Sequence, residues 1–296
     1  MGYAVFMVGV VSSTDGCAAF NFQLSIFNFQ LFCVFLFIDI SSLLCYNEEK
    51  KKEVFLMNTI KFENKGNIKM IAHRGVSGLE RENTCPAFVA AGVKSYWGIE
   101  TDVHVTLDGK FIIIHDDDLR RVAGLDMGVE TSNFDDLRAV RMTDRDGVTA
   151  RADIFLPTLE EYLSICKKYG KVAVLELKRD MEREHVEGIA AAVEAMGMLE
   201  NTTFISFSKQ NMLYLRAAYP NATAQFLSGN TDEATAKFIL DNNLDADIFY
   251  KSMTKEFVDL MHANGRVVNV WTVDTLEAAE QMLEFGVDQI TSNILE

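Results

Sequence analysis

Proline is scarce, with three residues at 86, 157 and 220 in a chain of 296, and no low-complexity linker separates one part from another. Basic residues are also in short supply. There are 28 Lys and Arg against 43 Asp and Glu, a formal net charge of −15 and a pI near 4.8. That balance excludes non-specific binding to nucleic acid or to an anionic membrane surface, which needs basic patches. The five cysteines (Cys17, Cys33, Cys45, Cys85 and Cys166) are odd in number and form no CxxC pair. This argues against a disulfide framework and for a reducing compartment. No GxGxxG follows the first strand-like run, which weakens a dinucleotide-binding reading. Residues 1–46 contain no lysine or arginine at all.

What is present divides unevenly. The stretch FNFQLSIFNFQLFCVFLFIDISSLL (20–44) is apolar, rich in Phe and repeats FNFQ; a charged run, NEEKKKE (47–53), follows. Residues 22–45 have the length of a bilayer span, and the lysines on their C-terminal side would leave the remainder in the cytoplasm. A cleaved signal peptide fits poorly, because no basic n-region precedes the apolar run. The preferred reading is a start assigned too far upstream. Met57 opens MNTIKFENKGNIKMIAHRG, and KKKEVFL before it can be encoded by a purine-rich run resembling a bacterial ribosome-binding site. The expected organisation is therefore an apolar extension over 1–56 and a domain over 57–296. The expected location is cytoplasmic, with membrane contact only if residues 1–46 are native.

From residue 68 onward, short apolar runs alternate with punctuated amphipathic segments. The runs are IKMIAH (68–73), GIETDV (98–103), FIIIH (111–115), VAVLELK (172–178), TFISFS (203–208), TAQFL (223–227), DIFYK (247–251), VVNVWTV (267–273) and DQITSN (288–293). They are continuous rather than alternating, as in strands covered on both faces. Thr158 with Glu161 and Asp274 with Glu277 read as capping boxes closed by Gly170 and Gly286. Ser208, Thr231 and Thr254 read as further N-caps. The alternation predicts a parallel sheet with helices outside, either a closed eight-stranded barrel or an open doubly wound sheet. VTLDGK (105–110) is too short for a crossover helix, so the third run is expected to fold back on the second.

Residues two apart on a strand share a face. Glu100 therefore sides with Asp102, and Glu176 with Lys178. Buried carboxylates are costly unless paired or bound to metal, and an all-oxygen group suits Mg²⁺ or Ca²⁺ rather than zinc. His73 and Arg74 end the first run and His115 the third. If these strands run parallel, all of these groups meet at the C-terminal rim. Histidines that titrate near neutral pH, beside fixed cations and a metal, point to phosphoryl chemistry. Arg74 and Lys178 would hold the anion.

The motifs AHRGVSGLERENTCPAF (72–88), IETDVHVTLDGKFIIIHDDDLRR (99–121), LPTLEEYL (156–163), LELK (175–178) and VWTVD (270–274), taken in order, resemble the glycerophosphodiester phosphodiesterases over about 69–296. The resemblance implies a (β/α)₈ TIM barrel of the phospholipase C-like phosphodiesterase type, with a minimal insertion after the third strand. It implies a divalent metal, Mg²⁺ or Ca²⁺, held by Glu100, Asp102 and Glu176. It further implies His73 and His115 as the acid–base pair, Arg74 and Lys178 on the phosphate, and hydrolysis of glycerophosphodiesters to sn-glycerol 3-phosphate and an alcohol. Two rival activities remain: a lysophospholipase D-like enzyme acting on membrane lipids, and a catalytically dead barrel serving as a binding module.

The other polar residues have plainer expectations. Glu82 either orients a catalytic histidine or caps the next helix. Asn83 and Thr84 are expected to cap. Trp271 lines the substrate pocket or packs the barrel. His104 is structural, His185 and His262 are solvated, the aspartates at 116–118 are a hydrated loop, and Cys85 is a small helix residue. Arg81 stands where the family usually has proline.

Overall fold

The computed structural model describes residues 8–12, 19–23, 58–147 and 151–296. Near the N-terminus, β1 (Val8–Ser12) and β2 (Ala19–Gln23) form an antiparallel pair in which Val8 faces Gln23. Most of the apolar 22–45 segment lies outside the described residues. Among those described, no helix is long and apolar enough to cross a membrane.

Residues Thr59–Glu296 form one compact unit. Its frame comprises β3 (Lys69–Ala72), β4 (Gly98–Val105), β6 (Val172–Leu177), β7 (Thr202–Ser206), β8 (Thr223–Ser228), β9 (Asp245–Phe249), β10 (Val268–Trp271) and β11 (Gln289–Ser292). Each pairs in parallel with its neighbour, and β11 returns to β3 while β3 also pairs with β4, which closes an eight-stranded barrel. Closure selects the barrel over the open sheet that the strand–helix alternation also allowed.

The helices form the outer ring. α1 (Cys85–Gly92) is capped by Thr84. α4 (Leu159–Tyr169) carries the capping box of Thr158 and Glu161 and ends at Gly170. α5 (Arg183–Ala195), α6 (Lys209–Ala218), α7 (Glu233–Asp241), α8 (Lys255–Ala263) and α9 (Leu276–Phe285) follow β6 to β10 in turn. Ser208 and Thr254 cap as expected. Two caps fall one residue later than predicted: Asp232 caps α7 in place of Thr231, and Thr275 caps α9 in place of Asp274. The second shift has consequences for the site. The main core lies between strands and helices, with Phe88, Tyr162, Phe204 and Met212 fully buried. A smaller cluster of Ile71, Val174, Ile205 and Leu227 fills the barrel interior.

β5 (Phe111–Ile113) is antiparallel to β4, with Val103 opposite Ile113. The third run is therefore the return arm of a hairpin and not a barrel strand, as its short link predicted. The parallel arrangement assumed for His115 does not hold. β4 overshoots the rim and β5 comes back down, so that Ile114 N–H donates to the Asp102 carbonyl (3.1 Å) and His115 follows at rim level. After β5, α2 (Arg120–Ala123) and α3 (Phe134–Ala139) enclose a small core of their own that includes Ile114, Leu119, Val122 and Leu156. This is the minimal insertion that the resemblance implied.

Candidate active site

The quoted HRG step begins where β3 ends. His73 N–H still donates to the Ser292 carbonyl on β11 (2.9 Å), and Arg74 then turns to φ +52°. A non-glycine residue held there costs about 1–3 kcal/mol and persists only where its surroundings enforce it. Arg74 N–H donates to Glu100 Oε2 (2.7 Å), and its carbonyl accepts from Asn83 N–H (2.9 Å). Gly75 follows at φ +73°, and a Cβ there would lie 2.7 Å from Ala87 of α1. The loop therefore needs glycine, and it sends the Arg74 side chain over the barrel mouth.

Glu100, Asp102 and Glu176 are 3%, 1% and 8% exposed, and one oxygen from each lies within 4.8 Å of the others. Asp102 and Glu176 are register partners on neighbouring strands. Burial, then the proximity of Asp102, raises the pKa of Glu100 and brings that of Glu176 up to about 8. Burial opposes the charge on Asp102 too, but Lys178 and Arg74 outweigh it and keep this carboxylate ionised. Asp102 Oδ1 takes no well-directed hydrogen bond, although Lys178 Nζ is 3.3 Å away. Three buried, mutually repelling oxygen donors, one of them unsatisfied, fit a hard divalent cation.

The two histidines line the same cavity as Glu100 and Glu176. His73 Nδ1 meets Asn293 Oδ1 at 2.7 Å. Asn293 Nδ2 donates to Asp274 Oδ2 (2.6 Å) and Ser77 donates to Asn293 Oδ1 (2.6 Å). That network assigns the amide orientation, so His73 carries its proton on Nδ1 and turns Nε2 toward Glu100, 3.9 Å away. Burial, then Arg74, pushes the His73 pKa down to about 4. His115 Nδ1 lies 2.7 Å from Asp116 Oδ1, an acceptor only, which again leaves Nε2 free. Burial lowers the His115 pKa, with Asp102 and Asp116 opposing.

Lys178 Nζ reaches Glu176 Oε1 at 2.9 Å. Arg74 uses Nη1 on Glu82 (2.9 Å), and its Nε faces Asp102 at 3.5 Å. Glu82 neither orients a histidine nor caps a helix. It binds Arg74 and accepts two bonds from Arg121, at 2.6 and 2.8 Å. Arg121 in turn donates to both oxygens of Asp116 (2.7 and 3.0 Å). Asp116 is thus more than a hydrated loop residue. Nor is Asn83 a cap: buried at φ +52°, it donates to Asp102 Oδ2 (2.7 Å) and accepts from Thr101 (2.7 Å). His104 is buried with Nε2 3.3 Å from the His115 carbonyl, a structural position as expected.

Trp271 lines the cavity together with His73, Arg74, His115, Phe207 and Asp247. Phe207 stacks edge-on against Trp271 (5.5 Å between centroids) and is 50% exposed. Phe207, Asp247, Asn293 and Asp274 were not anticipated. Asn293, as the polar end of the last apolar run, and Asp274, as the polar end of VWTVD, carried a signal.

The closed barrel and the polar cluster at the C-terminal ends of its strands define the class: a (β/α)₈ enzyme with its site at that rim. The family model for glycerophosphoryl diester phosphodiesterases matches residues 73–295, and the chain belongs to that family of enzymes. A glycerophosphodiester phosphodiesterase of Bacillus altitudinis is 27% identical over 228 residues, covering 75% of this chain and 93% of its own. One from Caldanaerobacter subterraneus is 25% identical over 227 residues, covering 76% and 93%. Among solved structures, a glycerophosphodiester phosphodiesterase from Parabacteroides distasonis superimposes with a TM-score of 0.64 at 27% identity, covering 77% and 93%. An Oleispira antarctica phosphodiesterase in complex with the product sn-glycerol-3-phosphate gives 0.69 at 24%, covering 76% and 93%.

Proposed function

We propose that residues 57–296 constitute a metal-dependent phosphodiesterase domain. In this reading it hydrolyses glycerophosphodiesters to sn-glycerol 3-phosphate and an alcohol, with His73 and His115 as base and acid. The observation that carries the reading is the convergence of Glu100, Asp102 and Glu176 with both histidines, Arg74 and Lys178 at one rim. Family membership supplies the substrate class.

Glu100, Asp102 and Glu176 would hold Mg²⁺ or Ca²⁺, and the bound ion neutralises charge on a phosphoryl oxygen and orients it. Arg74, with Nη1 bound to Glu82 and Nε 3.5 Å from Asp102, offers Nη2 to a second oxygen. Lys178, 3.3 Å from Asp102, offers a point charge. The two histidines differ in their partners. Asn293 is neutral and Arg74 is adjacent, so His73 is held uncharged with a lone pair on Nε2. That suits the group that takes a proton from the attacking oxygen. His115 rests on the Asp116 carboxylate, which opposes the lowering of its pKa by burial and so helps the ring carry a proton for the leaving alcohol.

A leaving-group comparison tests this division. His73→Ala should lower turnover by at least about 10²-fold both on glycerophosphocholine and on the p-nitrophenyl ester of glycerol 3-phosphate. His115→Ala should be as severe on the first but milder than tenfold on the second, because p-nitrophenolate leaves without a proton. The reverse pattern exchanges the roles. Near-normal rates in both variants, or wild-type release of glycerol 3-phosphate that a chelator leaves untouched, reject the mechanism.

A further inference from the structure

Asp247 lines the same cavity from β9, yet belongs to neither the carboxylate trio nor the histidine networks. It is 1% exposed. Asn269 Nδ2, one strand away on β10, donates to its Oδ1 (2.9 Å) and also to Thr291 Oγ1 (2.9 Å), another cavity-lining atom. Among the described residues nothing donates to Asp247 Oδ2, and no cation acts on the group: burial and the Asn269 bond are its only influences. A carboxyl buried with one hydrogen bond is costly to the fold.

The surroundings indicate what completes it. Trp271, Phe207, Ile205 and Leu227 make an apolar wall beside Asp247, opposite the charged wall of His73, Arg74 and Glu176. Rings for carbon, plus an oriented polar group for hydroxyl, is the usual way a pocket fixes a polyol. Burial pushes the Asp247 pKa up to about 7, so near neutrality the group can either accept from a hydroxyl or donate to one. It does not demand a cationic ligand.

We propose that Asp247 is a recognition residue for the glycerol hydroxyls of the substrate, held at a fixed angle by Asn269 and backed by Trp271. This rests on the phosphodiesterase reading for the identity of the ligand, but binding alone tests it. Calorimetric affinities of the full-length, Mg²⁺-loaded protein for sn-glycerol 3-phosphate and for inorganic phosphate share the phosphate contacts and differ in the glycerol. Wild type should favour glycerol 3-phosphate, and Asp247→Ala should shrink that preference by about tenfold or more. Asp247→Asn is nearly isosteric, keeps an acceptor for Asn269, and should shrink it at least about threefold. Should the alanine variant fail to fold, the asparagine variant decides. A preference unchanged within about twofold in Asp247→Asn, an equal loss for both ligands, or a wild type with no preference overturns the assignment. A wild type that binds glycerol 3-phosphate selectively but hydrolyses no glycerophosphodiester overturns the catalytic reading and leaves the subsite standing.

Discussion

At the scale of single residues, the site is a problem of where charge is allowed to sit. With no cation between them, three buried carboxylates cannot all stay ionised, and Glu176, brought up to about 8 by burial and Asp102, holds its proton at pH 7. A divalent ion must displace that proton. Calorimetric titration with Mg²⁺ in buffers of different ionisation enthalpy should therefore show proton release at pH 7, about one per ion from Glu176 and more if the raised Glu100 also gives one up, and the release should fall as pH rises. The sign follows directly: affinity rises as pH approaches the raised pKa and levels off beyond it. Release of no proton at pH 7 would contradict the assignment of the trio. His73, Arg74, Glu100, Asp102 and His115 were legible because each sits in a contiguous motif at the tip of an apolar run. Asn293 was not legible as the partner of His73, because 220 residues separate them and only β11 lying beside β3 brings them together.

At the scale of elements, the β4–β5 hairpin decides the site. The six residues of VTLDGK predicted a fold-back, and Thr106 N–H bonds the Lys110 carbonyl across the turn (2.9 Å). That local signal could not say that the returning arm delivers His115 to the level of Asp102. Arg121, on α2 of the insertion, then links the two loops. It grips Glu82, which holds Arg74, and Asp116, which holds His115. Arg121 touches no reacting atom and acts as a positioning residue. Arg121→Ala should cost about tenfold in kcat/KM on glycerophosphocholine, with Arg121→Lys restoring only part, since a lysine cannot serve two carboxylates with one planar fork. Without Arg121, Asp116 is drawn more fully to imidazolium, so the His115 pKa rises and the basic limb of the kcat profile moves to higher pH. A loss of rate with that limb unmoved would reduce Arg121 to a structural role. The one-residue error at α9 has a related cause. Asp274 and Thr275 are both good caps, and pattern alone cannot choose between them. Thr275 caps, which releases Asp274 to hold Ser292 and Asn293.

At the scale of the whole molecule, a chain of net charge −15 brings two of its few cations, Arg74 and Lys178, to the same buried carboxylate, Asp102 (3.5 and 3.3 Å). Thr59–Glu296 contains every residue discussed for the site. A protein made of residues 57–296 should fold cooperatively and release glycerol 3-phosphate at the full-length rate. Failure to fold, or a turnover reduced by more than about tenfold, would reject the division of the chain at Met57. Mass spectrometry of the natural product tests the upstream start separately: a peptide from 1–56 would show that this segment is translated.

The sequence alone determined the alternation of strand and helix, the helix caps at Thr158, Ser208 and Thr254, the fold-back after β4 and the siding of Glu100 with Asp102 and of Glu176 with Lys178. All of these follow from side-chain periodicity and backbone preferences within a dozen residues. Only the tertiary structure decided that the sheet closes, that His115 arrives on an antiparallel arm, and that Asn293, Arg121 and Asp247 belong to the site. The physical reason is that hydrogen bonds and charge pairs between distant segments exist only once the core has fixed strand register, and no local pattern in the chain records which segments will meet.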